Sequence, residues 1–189
     1  MIIFANPFLG KTTSIRELDL QAFEINNNKI SKSFINDPGV LESIKENLLS
    51  AEKDNLLMSM YFDMPHMELF INELKRLGRP LPIIIGCPID YLPTIKNSIN
   101  ERAILYKDDS KYKKNTYWDR YKVLKWHYKH FKSLQILYPE LRTYELKNGQ
   151  YVTDILRDNC PEIVQAFQGT PQSRISKKEE LKRDYPYIF

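Results

Sequence analysis

The sequence predicts an α/β fold, a mostly parallel sheet flanked by helices in three layers, and three observations predict it. Short apolar runs of strand length recur at residues 2–4, 55–62 and 81–86, each followed by a stretch whose apolar residues keep helical spacing. With a further short strand at 29–35, the order becomes strand then helix, four times over. Such alternation needs crossover connections, and crossovers build parallel sheets covered on both faces. At 189 residues and 42% hydrophobic content, with twelve Tyr, nine Phe and two Trp, the chain fills one substantial core.

The elements follow in order. Ile2, Ile3 and Phe4 form the first strand. Residues 11–23 hold no Gly or Pro and repeat Ile15, Leu18 and Ala22 at helical spacing, a first helix closed by Asn26, Asn27 and Asn28. The strand expected at 29–35 ends at Asp37-Pro38-Gly39, and Asp37 is also a candidate N-cap for an amphipathic helix over 40–49. Residues 55–62 read as a buried strand ending at Asp63. Pro65 then opens a helix through Met67, Phe70, Ile71, Leu74 and Leu77 that Gly78 stops. Residues 81–86 are a further apolar strand and 90–102 a further helix.

Residues 107–115 are strongly polar, a lid-like loop. The next helix, 116–131, carries Trp118, Tyr121, Leu124, Tyr128 and Phe131 on one side, with Arg120, Lys122, Lys125 and Lys129 elsewhere. A strand, an Asn148-Gly149 turn and a short helix fill 141–156; a short helical piece follows Cys160-Pro161, and 169–173 breaks the chain. The expected division is an α/β domain over 1–156, including the loop and basic aromatic helix at 107–131, and a helical extension with a tail over 157–189. The tail, Tyr185-Pro186-Tyr187-Ile188-Phe189, is too apolar to stand alone in water. It is expected to dock on the domain or on a second copy, as a homo-oligomer.

One segment carries chemistry. After the first strand, Ala5-Asn6-Pro7-Phe8-Leu9-Gly10-Lys11-Thr12 has the spacing of a phosphate-binding P-loop, with Ala5 where the first glycine usually sits. In such a loop backbone N–H groups wrap a phosphate chain, the lysine brings a mobile positive charge, and the hydroxyl completes a Mg²⁺ shell. The phosphate-binding residues are then Asn6, Pro7, Phe8, Leu9, Gly10, Lys11, Thr12 and Thr13. The pattern has four free positions and recurs by chance in unrelated chains, so its context, strand before and helix after, is what gives it weight.

With these pieces in order, the chain resembles small P-loop nucleotide kinases of the phage and bacterial type, members of the P-loop NTPase superfamily. The likeness rests on residues 5–12 after an N-terminal strand, Ser31-Lys32-Ser33-Phe34 before a proline turn, strands at 56–62 and 83–85, and a closing segment over 149–156. It implies transfer of the ATP γ-phosphoryl group, with Mg²⁺, to a nucleotide or another small phosphate acceptor. Lys11 would meet the β- and γ-phosphates, and Thr12 and Asp63 would hold the metal. Asp63 reads equally as a helix N-cap before Pro65. Arg102 and Arg120, or Lys111, Lys113 and Lys114, would neutralise the transferring group, each being also an ordinary surface charge. Residues 26–35 contain no acid where related kinases often carry one, the nearest being Glu24 and Asp37. This leaves the alternative of a catalytically degenerate P-loop protein that binds a nucleotide or a partner, such as a phage factor acting on host machinery, or of a nucleic-acid end kinase.

Other classes are disfavoured. A net charge of +4 suits anionic ligands without the concentrated basic face of a nucleic-acid binder. The aromatic helix at 116–131 reads as core stripe more readily than as a base-stacking platform, with Tyr117 and Trp126 off the stripe. Cys87 and Cys160 lack metal-type spacing or an activating neighbour, and His66, His127 and His130 are expected on helix surfaces. The chain enters its first strand at once, so no signal peptide is expected, and no apolar run reaches membrane-spanning length. The expected location is the cytoplasm, a host's if the source is viral.

Overall fold

The structure, a computed structural model, describes residues 1–6, 9–25, 38–59, 64–105, 117–186 and 188–189, the side chains of 38–41, 44, 92, 102, 103, 105, 117–121, 123 and 171 excepted. Among the described residues five strands form one parallel sheet: β1 (Ile2–Ala5), β2 (Ala22–Glu24), β3 (Leu56–Ser59), β4 (Ile83–Gly86) and β5 (Thr143–Glu145), in the order β2-β3-β1-β4-β5. Ile3 lies level with Met58 on one side and Ile83 on the other, so β1 is the central strand.

The strands alternate inward and outward at period two, and both faces are apolar because both are covered. Ile2, Phe4, Phe23, Leu57 and Ile84 face one layer. It is built from α2 (Pro38–Glu52), α3 (Met64–Arg76), the second half of α5 (Tyr117–Leu137) and α8 (Pro171–Asp184). Ile3, Ala5, Ala22, Leu56, Met58, Ile83 and Ile85 face the other, built from α1 (Lys11–Glu17), α4 (Leu92–Leu105), α6 (Val152–Asn159) and α7 (Pro161–Ala166).

This layering follows from crossover handedness. The β1-to-β2 connection runs toward one edge of the sheet and places α1 on one face. The connections from β2 to β3 and from β3 to β4 run the opposite way and place α2 and α3 on the other face. The chain therefore reverses direction at β1. A crevice opens at the carboxyl end of such a strand, the usual ligand position in open parallel sheets.

Two expectations need correction. The first helix does not run through residue 23: it ends at Glu17, the chain turns through Asp19 at φ 51°, and Ala22 belongs to β2. Ile15, Leu18 and Ala22 keep helical spacing only by coincidence. Ile15 and Leu18 pack in the α1 layer, whereas Ala22 is buried there from the sheet. The second strand is accordingly at 22–24, and the expected strand at 29–35 lies outside the described residues. The aromatic helix runs on to Leu137 and crosses the sheet. Leu124 packs with the α1 layer, Phe131 and Leu134 with the opposite one. The expected N-cap Asp37, residues 60–63 with Asp63, and the polar loop at 107–115 also lie outside the described residues.

The C-terminal extension forms a strap. Gln21 N–H donates to the Phe167 carbonyl at 2.6 Å, Gly169 N–H to the Asp19 carbonyl at 2.8 Å, and Leu20 and Gln168 form an antiparallel bridge. From there α8 runs to the opposite layer, where Ile188 is 0% exposed and Phe189 meets Phe23 edge-on at 6.4 Å. The tail thus docks on its own domain, beside the edge strand β2.

Candidate functional site

The segment after β1 turns at Gly10, whose φ of 82° lies in the left-handed region where a side chain would be strained. That turn starts α1 at once, Ser14 N–H donating to the Gly10 carbonyl at 2.7 Å. Lys11, 8% exposed, folds back along the loop, and its Nζ donates to the carbonyls of Asn6 at 2.8 Å and Ala5 at 3.3 Å. Asn6 itself is 0% exposed, and neither end of its carboxamide has a hydrogen-bond partner.

Thr12, exposed on α1, donates its hydroxyl to Glu24 Oε2 at 2.8 Å. Glu24 closes β2, so the ends of β1 and β2 converge on a hydroxyl, a carboxylate and an ammonium. From the sequence Glu24 is only the nearest acid to a strand expected at 29–35. The Ala22-Phe23-Glu24-Ile25 alternation was the available signal: Phe23 and Ile25 face the α2–α3 layer, which turns Glu24 toward α1.

Two further segments frame the loop. Val152 N–H donates to the Leu9 carbonyl at 3.0 Å, and the Tyr151 ring lies 3.6 Å from where a Gly10 Cβ would stand. Asp154 holds that segment by accepting from Tyr151 N–H at 2.7 Å. From the other side α5 crosses the end of β4. Phe131 lies flat enough on Gly86 that any Cβ there would come within 2.5 Å of its ring.

One turn before Phe131, His127 is 3% exposed, which corrects the expectation of a helix-surface residue. Its position three residues after Leu124 and four before Phe131, on the apolar stripe, was the signal for burial. Burial pushes the His127 imidazole down to about 3, and the positive charge of Lys11 and the neighbouring His130 act in the same direction. Trp126, 42% exposed, crosses His127 and His130 edge-on at 4.8 and 3.9 Å.

Of the residues singled out from sequence, Asn6, Leu9, Gly10, Lys11, Thr12 and Thr13 are together at the end of β1. Pro7, Phe8 and Asp63 lie outside the described residues. Arg102 and Arg120 have backbone positions on α4 and α5, and their side chains are outside the described set. Among the described residues no group of three or more His, Cys, Asp or Glu could hold a metal ion. Both cysteines are buried and free, with thiols raised above their usual range chiefly by burial, which makes them inert. No helix among the described residues is long and apolar enough to cross a membrane.

No protein-family model matches the chain, and neither a curated protein nor a solved structure matches it. Function is argued from the site itself.

Proposed function

We propose that the chain is a P-loop phosphotransferase that uses ATP and Mg²⁺ to phosphorylate a nucleotide or another small acceptor. The observation that carries this reading is the convergence at the end of the central strand. Lys11 lies along the loop carbonyls, and the Thr12 hydroxyl sits 2.8 Å from the Glu24 carboxylate. The site also stands where the chain reverses direction across the sheet, a position that favours ligand binding.

The donor set suits the group. Mg²⁺ in phosphoryl-transfer sites takes one or two protein oxygens and fills its shell with phosphate oxygens and water. Thr12 and Glu24 would supply those protein oxygens. Lys11 would leave the Asn6 and Ala5 carbonyls for the phosphate chain. The bound nucleotide would supply the phosphoryl group, and the protein's part is positioning and charge neutralisation. Neutral His127, beside Lys11, adds no competing charge.

Calorimetric titration of Mg-ATP, Mg-ADP and Mg-GTP into wild type and Lys11→Ala tests the reading, with circular dichroism to verify the fold. Saturable binding in wild type, lost in the variant, is the expected result. A folded wild type that binds none of the three overturns it and leaves the non-catalytic binding scaffold.

A further inference from the structure

The carboxamide of Asn6 is a buried polar group for which the described residues provide no hydrogen-bond partner. Its two ends offer donors at Nδ2 and an acceptor at Oδ1, and neither is hydrogen-bonded although the residue is 0% exposed. Buried polar groups in folded proteins are nearly always bonded, and those that are not call for a specific explanation. An apolar side chain here would avoid the penalty altogether. Asn6 also stands beside the cation of the candidate site, since its own carbonyl accepts from Lys11 Nζ at 2.8 Å.

Resting on the phosphotransferase reading above, we infer that Asn6 reads the terminal phosphoryl group of the nucleotide and makes the site prefer a triphosphate to a diphosphate. Lys11 Nζ donates to the carbonyls of Asn6 and Ala5. A phosphate chain draws that ammonium off the carbonyls and brings its terminal group beside the carboxamide. Nδ2 donates to an oxygen of the γ-phosphoryl group, a charge-assisted bond that a diphosphate, one group shorter, does not reach. Thr12 and Glu24 serve the metal, and Asn6 the phosphoryl oxygen.

The test compares Mg-ADP with Mg-AMPPNP, a triphosphate analogue that resists transfer, by calorimetry in wild type, Asn6→Ala and Asn6→Ser. Folding of each variant is verified by thermal melt, and serine is the fallback should alanine not fold. Wild type is expected to bind the triphosphate at least about tenfold more tightly than Mg-ADP. Both variants are expected to lose that ratio while keeping Mg-ADP affinity. As a second readout, the Asn6 side-chain amide signals, assigned by their loss in Asn6→Ala, should shift with Mg-AMPPNP and stay in place with Mg-ADP. Nucleotide binding with the same ratio in wild type and variants overturns the role of Asn6 and leaves the phosphotransferase reading standing. Absence of all nucleotide binding by folded wild type overturns both.

Discussion

The loop at 5–12 and the C-terminal strap at 167–189 both attach to α1, and they treat their polar groups in opposite ways. In the strap the groups close on one another. Thr170 Oγ1 accepts from Ser173 N–H at 3.2 Å, Gln21 Nε2 donates to Ser173 Oγ at 3.1 Å, and Arg174 donates to the Ile15 carbonyl at 3.0 Å while pairing with Asp19 at 3.1 Å. Its apolar end is sunk beside Phe23. In the loop, one buried group stays unbonded among the described residues. The Asn6 carboxamide is buried and unbonded, Lys11 lies on carbonyls of its own loop, and the Thr12 hydroxyl meets a carboxylate at the exposed rim. Groups satisfied internally hold the fold together; groups left with capacity are placed for something that arrives.

That contrast can be broken from either side. Ile188→Ala should have the largest effect on stability, a loss of about 2–4 kcal/mol for a fully buried aliphatic side chain. Thermal denaturation would show a clear fall in Tm, and an unchanged Tm would mean that the tail rests on the domain without supporting it.

The pH dependence of stability reports on the buried His127. His127 is held near 3 in the fold against 6.5 for the free side chain, so the unfolded chain takes up the proton first as pH falls. Its contribution is fully present above pH 6.5 and drains as pH drops toward 3, at a slope of at most about 1.4 kcal/mol per pH unit. His127→Asn should flatten urea-derived stability curves across that window. An identical slope in the variant would assign the titration to other groups.

Asn6→Ala, which removes a buried group without breaking a bond, should stay within about 1 kcal/mol of wild type. A loss several times larger would reveal a structural role for the carboxamide and erase the contrast with the strap. A similarly small effect is expected for Arg174→Ala. It loses one backbone bond and one half-exposed ion pair, worth about 1 kcal/mol together. Denaturant titration at low and high salt would separate the two parts, since only the ion pair is screened.

Much of the fold was legible because burial on both sides of a parallel sheet leaves uninterrupted apolar runs, as in Ile83, Ile84 and Ile85 or Leu56, Leu57 and Met58. Gly78 and Gly149, at φ 61° and 84°, mark the turns their residue type suggested. The second strand was not legible. Ala22, Phe23 and Glu24 make a strand of three residues, too short for alternation to outweigh the helical spacing before it. Glu24 was lost with that strand. His127 was missed for a related reason, since its burial depends on α5 passing from one layer to the other rather than lying along a single face.

By itself the sequence determined the alternation of strands and helices, the parallel sheet that alternation entails, and the spacing that puts Gly10, Lys11 and Thr12 directly after the first strand. These are local matters, decided by periodicity, turn residues and chain connectivity. Only the tertiary structure decided that β1 is central, that Glu24 reaches Thr12, that Asn6 is buried without a partner among the described residues and that His127 is buried within the electrostatic reach of Lys11. Each of these depends on which strand lies beside which and where a long helix crosses the sheet. Both are settled by packing between segments far apart in the chain.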